Sequence, residues 1–162
     1  MVFYEKMQTD DITNGEGISV SIWFRGCPHK CKGCHNPDLW NYGVGGVFED
    51  DDIFFKKLSE AITKNGITRN VSFLGGEPLF HKNLPSLFKI LKYLKENHPQ
   101  SKIWLWTGYT LEEIKDKEDY PSKVLEYIDV LIDGQYIEKL RDVTLPHRGS
   151  SNQRILKKEV DF

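Results

Sequence analysis

No fourth cysteine accompanies Cys27, Cys31 and Cys34. Three thiols are all that the 162 residues hold, and an odd number gathered in one short stretch excludes a disulfide framework. No apolar run approaches the ~20 residues that cross a bilayer, and the start, "MVFYEKMQTDD", has no basic flank leading into an apolar core. The chain therefore reads as cytoplasmic, with no membrane partner. A dominant charge is missing too: 22 basic side chains stand against 24 acidic ones, so no global field draws the protein to nucleic acid. No repeat, low-complexity tract or linker divides the sequence, and its length suits a single domain over residues 1–162.

What is present begins with strands alternating with helices. Residues 17 to 25, "GISVSIWFR", predict a strand that runs straight into the cysteines. Acidic residues 49 to 52 favour a helix start, Phe54, Leu58, Ala61 and Ile62 repeat at helical spacing, and Asn65 and Gly66 stop it. "NVSFLGGEP" from residue 70 predicts a buried strand and a glycine turn. Leu84, Leu87, Phe88, Leu91 and Leu94 mark a second helix that ends before Pro99. "KIWLWTGY" at 102 to 109 is a third strand, "TLEEIKD" and "PSKVLEYI" are short helices, and "DVLIDGQY" at 129 to 136 is a fourth strand. From Pro146 the tail is polar, with at most a short terminal strand. This order implies βαβ units and a parallel sheet, whose ligands sit beyond the carboxyl ends of the strands. The cysteine loop, "GGEP", "TGY" and "DGQ" all fall at that edge, in a chain with room for only part of an eight-stranded barrel.

The spacing C-x3-C-x2-C suits an iron–sulfur cluster with one iron left for an outside ligand, since a cubane normally takes four thiolates. The competing readings are a structural zinc site completed by His29 or His35, and a redox dithiol of Cys31 and Cys34. Zinc modules use two separated ligand pairs, and a dithiol leaves Cys27 without a role. In "LGGEPL", Gly75 and Gly76 let a ligand approach the backbone, and Glu77 can accept hydrogen bonds from an ammonium group; alone, this is a plain strand-to-helix turn. His35 is placed to be a pocket wall. Trp23, Phe24, Trp104 and Trp106 are expected in the core, Thr107 to Tyr109 in the pocket or a surface turn, and the charges from 112 to 119 on a solvated face.

"CPHKCKGC" followed by "HN", with "GGEP" downstream, resembles the signature of the radical S-adenosylmethionine (SAM) enzymes. "NGEGISVSIWFRGCPHKCKGCHNPDLW", "DVLIDGQY" and "RGSSNQRI" are similar, more narrowly, to the small activating enzymes of anaerobic ribonucleoside-triphosphate reductase, over roughly residues 10 to 156. The sequence departs from related activases in having Asn14-Gly15-Glu16-Gly17 where they carry "DGPG". It also has Glu77 where the narrower group often has aspartate.

The resemblance implies an α/β fold of the radical SAM type, a partial, open parallel β/α barrel. It implies that Cys27, Cys31 and Cys34 bind three irons of a 4Fe-4S cluster and that SAM chelates the fourth. Gly75, Gly76 and Glu77 would hold the methionine amino group, and Gly33, Cys34 and His35 would lie against the adenosyl part. Asp133, Gly134, Arg148 and Asn152 would belong to the pocket rim or the partner surface. The implied activity is reductive cleavage of SAM and formation of a glycyl radical on the large reductase subunit, with an unidentified electron donor. An activase of another glycyl-radical enzyme such as pyruvate formate-lyase, or a non-catalytic zinc module, stands as the alternative.

Overall fold

The computed structural model describes residues 1–117 and 120–162. Strands β1 (Val2–Tyr4) and β2 (Lys6–Asp11) precede β3 (Ser19–Phe24), and a long loop carrying the cysteines leads to β4 (Val47–Glu49). Then follow α1 (Asp51–Thr63), β5 (Asn70–Gly75), α2 (Leu84–Asn97), β6 (Ile103–Trp106), α3 (Leu111–Asp116), α4 (Tyr120–Val124), β7 (Val130–Asp133) and β8 (Arg154–Lys157). The larger sheet has the order β2-β3-β5-β6-β7-β8, and β1 pairs with β4 in a separate ribbon.

The four inner strands are parallel, as the βαβ pattern predicts, but β2 is antiparallel to β3 and β8 is antiparallel to β7. The sheet is therefore mixed and open, not the wholly parallel part-barrel expected. The difference arises at the two edges, where hairpin-like returns need no crossover helix. The sequence pattern does not predict β1, β2 or β4, and the helix expected over 121 to 128 ends at Val124, with turns completing it. Residues 118 and 119 of the anticipated charged face lie outside the described residues.

Alternation along the strands divides the interior. Val20, Ile22, Phe24, Val71, Phe73, Leu105 and Leu131 face α1 and α2, whose Phe54, Leu58, Leu87, Ile90 and Leu91 complete one core. On the other side of the sheet Trp104, Val130 and Ile132 pack with Trp106 and Ile155 in a smaller cluster. Helices on one side leave the other to be covered by loops: the Asn14 carbonyl accepts from Ser72 Oγ at 2.7 Å, and His147 sits edge-on to Trp104 at 5.0 Å.

Register sets the strand ends level. Phe24 pairs with Gly75, Trp106 with Ile132, and the Thr107 amide donates to the Ile132 carbonyl at 2.9 Å. The four loops that follow these strands consequently leave the sheet side by side, which is the placement the sequence implied. Gly75 makes this possible. At φ 116° it lies in the left-handed region, and a Cβ there would stand 2.4 Å from the Phe24 carbonyl oxygen.

Candidate functional site

The loop that leaves β3 is fastened before it reaches the cysteines. Arg25 ties it down with a two-point contact to Glu5, at 2.7 and 3.1 Å, and donates to the Asp38 carbonyl at 2.6 Å. The Gly26 and Cys27 amides donate to the carbonyls of Leu39 and Trp40, so the chain returns alongside itself and Cys27 to Trp40 forms a closed lobe. From below, the Asn83 side-chain amide donates to the carbonyls of Arg25 and Glu77, both at 2.9 Å. Asn83 stands where α2 would be capped, and its side chain serves this junction instead.

Cys27, Cys31 and Cys34 are all half-buried free thiols and all line one cavity. The Cys34 amide donates to the Cys31 carbonyl at 3.1 Å, and the Asn36 amide to Cys34 Sγ at 3.4 Å, so the last thiol caps a tight turn. Gly33 forms that turn at φ 76°, with the Glu138 carboxyl 2.8 Å from where a Cβ would stand. Burial pushes the Cys27 thiol up to about 11, with hydrogen bonds from the backbone of the loop opposing and the Glu77 charge adding to it; burial also raises Cys31. Cys27 is thus a protonated thiol at neutral pH until a cation takes the proton's place.

The remaining walls come from the other three strand ends: Gly75 and Gly76 after β5, Trp106, Thr107 and Gly108 at β6, and Gly134 with Gln135 after β7. His35 and Asn36 stand at the mouth, with the His35 ring 6.0 Å from that of Tyr136. Most of the residues singled out from the sequence therefore meet here. Of the expected cluster and cofactor residues, two do not reach the cavity. Gly33 turns the loop behind it. Glu77, expected to receive an ammonium group, is wholly buried beneath the wall. Its Oε1 accepts from the Leu79 amide and Thr107 Oγ1, and its Oε2 meets the Gly108 amide and His29 Nε2, at 2.8 to 2.9 Å. Four partners fill the acceptor sites of a carboxylate, which leaves nothing for a ligand.

The tail motif is placed by hydrogen bonds rather than by contact with the cavity. Asp133 is buried, pairs with Arg154 and accepts from the Leu111 amide at 2.7 Å, so it holds the start of α3 and is neither rim nor surface. Arg148 donates to the Gln153 carbonyl, and Asn152 to the Gln135 carbonyl at 2.7 Å. Gly149 and Gln153 of the same motif do line the cavity, and sequence reasoning passed over them, as it did Gln135.

The donor set distinguishes between its candidate occupants. Among the described residues no three histidine, cysteine or acidic side chains converge where a single ion could be held. A zinc ion needs such convergence, with sulfur at ~2.3 Å. A cubane does not, because each thiolate takes a different iron, and three thiols around one cavity with a vacant side fit that group. His29, the other candidate for zinc, has both ring nitrogens engaged, Nε2 with Glu77 and Nδ1 with the Gln135 side-chain amide at 3.0 Å.

Comparison with known proteins agrees. Residues 13–156 match the family model described as "4Fe-4S single cluster domain". The chain is 37% identical over 153 residues to a protein of Haemophilus influenzae, covering 94% of this chain and 96% of that one. It is 37% identical over 152 residues to one of Enterobacteria phage T4, covering 94% and 92%, and 34% identical over 152 residues to one of Escherichia coli (strain K12), covering 93% and 95%. Each of the three is named anaerobic ribonucleoside-triphosphate reductase-activating protein.

Proposed function

This chain belongs to the family of anaerobic ribonucleoside-triphosphate reductase-activating proteins, and from that premise we propose that it is a radical SAM oxidoreductase acting on the large reductase subunit. The observation that carries the reading is the meeting of three half-buried thiols with the Gly75-Gly76 turn around one cavity, without a fourth thiol.

Cys27, Cys31 and Cys34 would each hold one iron of the 4Fe-4S cluster, and SAM would chelate the fourth through its amino and carboxylate groups. When bound, these cofactors would supply the chemistry, which is reductive cleavage of SAM by one electron from a reductant to methionine and a 5′-deoxyadenosyl radical able to take a hydrogen atom from a reductase glycine. The chain's own residues position the reactants. Gly75 and Gly76 place no side chain between the methionine part and the backbone, while His35 and Asn36 at the mouth flank the adenosyl part. Level strand ends keep the four loops in fixed relation, so the residues that would hold SAM and those that would hold the cluster need no large rearrangement to act together. The open sheet serves as part of a barrel, and its unclosed side admits a glycine-bearing segment of the partner. Glu77 supports this arrangement from beneath rather than touching SAM.

Anaerobic incubation of the reconstituted chain with SAM and dithionite is expected to release 5′-deoxyadenosine, and added reductase is expected to gain a glycyl radical signal in electron paramagnetic resonance. Iron-loaded protein that yields neither overturns the reading. Cys34→Ala should lose both the cluster absorbance and the cleavage, and a variant keeping full absorbance would remove Cys34 from the ligand set.

A further inference from the structure

Through their side-chain hydrogen bonds Glu77 and His29 join the cysteine loop to the three other strand-end loops at once. His29 lies midway between Cys27 and Cys31. Its side chain is only 7% exposed, although Pro28 and Lys30 on either side are exposed. Tyr109 stands edge-on to the ring at 4.5 Å, and Gly108 approaches so closely that a Cβ there would lie 2.4 Å from it. A side-chain amide N–H can only donate, so Gln135 donates to Nδ1 and the imidazole carries its proton on Nε2, directed at Glu77. One neutral tautomer satisfies both contacts, and no ring nitrogen is left for a metal.

We propose that His29 is a positioning residue: clasped by the buried Glu77 carboxylate and by Gln135, it fixes the Cys27–Cys31 segment over the strand ends, so that Glu77 acts on the cysteines through His29. The inference rests on the reading of this segment as the cluster loop. Anchoring is needed because the lobe from Cys27 to Trp40 contributes no residue to either hydrophobic core, and apart from this clasp it is held chiefly by backbone contacts. Groups that orient metal ligands without touching the metal are commonly worth 10–100-fold in metal retention.

The test compares the full chain with His29→Ala, His29→Gln and Glu77→Gln after anaerobic reconstitution, reading iron and acid-labile sulfide, the rate of iron loss to a chelator, and far-ultraviolet circular dichroism. His29→Ala, a change in a loop, is expected to keep the native dichroism and to lose iron on the order of 10-fold faster. His29→Gln, whose amide N–H can still donate to Glu77, should recover much of that loss. Glu77→Gln also sets an amide NH2 against the donors that Glu77 accepts from, so it should cost more than His29→Ala. Its added cost should be smaller in the His29→Ala background than in wild type, because the His29 contact is already gone there. Iron loss at the wild-type rate in His29→Ala overturns the proposal. So does a nitrogen coupling to the reduced, SAM-free wild-type cluster in pulsed paramagnetic resonance that vanishes in His29→Ala, which would make the ring a ligand. A wild-type chain that takes up no iron or sulfide overturns the cluster reading itself and this inference with it, a result distinct from the other two.

Discussion

A methyl group at position 75 has nowhere to go. It would require an L-residue at φ 116° and would press on the backbone oxygen of Phe24, which cannot swing aside as a side chain can. The left-handed backbone costs about 1–2 kcal/mol for a residue with a Cβ, and overpacking costs about 1–3 kcal/mol more. Gly75→Ala is therefore expected to lose about 3 kcal/mol in urea unfolding, and a loss below about 1 kcal/mol would show that β3 and β5 can part at this end. Glycine at 75 was legible from the sequence as a place of close approach. What it approaches was not: the expectation was a ligand, and the structure adds the neighbouring strand. Glu77 repeats the lesson more sharply. Residue type announces a carboxylate beside two glycines, but its burial depends on Leu79, Thr107, Gly108 and His29, brought together from three segments distant in the chain. His29 was legible in the sequence only as a candidate zinc ligand inside the cysteine spacing. Only the fold shows that its nitrogens turn inward.

The elements read best from the sequence are those whose own residues decide them. β5 and β6 are buried runs, and α1 and α2 carry apolar residues at helical spacing and meet glycine or proline where expected. β2 escaped because "KMQTDD" is mostly exposed and has no clean alternation; pairing with β3 makes it a strand. The connection between these two strands also carries a pH dependence. Burial pushes the Asp11 carboxyl up, yet hydrogen bonds from Asn14, Ser21 and Thr13 outweigh this and hold it at about 2, against 3.8 when free. A carboxyl that ionises more easily in the folded state adds stability above pH 3.8, and that stability disappears as pH falls towards 2. The shift corresponds to about 2 kcal/mol. Asp11→Asn should thus be less stable than wild type by about that amount at neutral pH, with the two converging near pH 2. Urea titrations at several pH values would show it, and a gap that stays constant through the acid range would refute the account.

At the scale of the molecule, framework and chemistry are separable. The larger core is assembled from β3, β5, β6 and β7 against the helices, and no cysteine belongs to it. The site is instead laid across the strand ends, where four loops meet because parallel strands finish level, a consequence of topology that the order of elements already implied. The antiparallel edges could not be inferred from that order, since β2 and β8 are joined to their neighbours without α-helices and only pairing defines their direction. Such an arrangement should fold without iron. Replacing Cys27, Cys31 and Cys34 together by alanine removes three half-buried thiols that take part in no packing of the two cores, so unfolding free energy is expected to stay within about 1 kcal/mol of the metal-free wild type. For a chain of this size that is a shift of about 2–4 °C in Tm. The same variant should show no gain in stability on reconstitution, whereas wild type should gain, because binding to the folded state alone adds to its stability. Collapse of the metal-free variant to an unfolded chain would mean that the cysteine lobe is part of the framework after all. An equal gain in both would place the iron somewhere other than at these thiols.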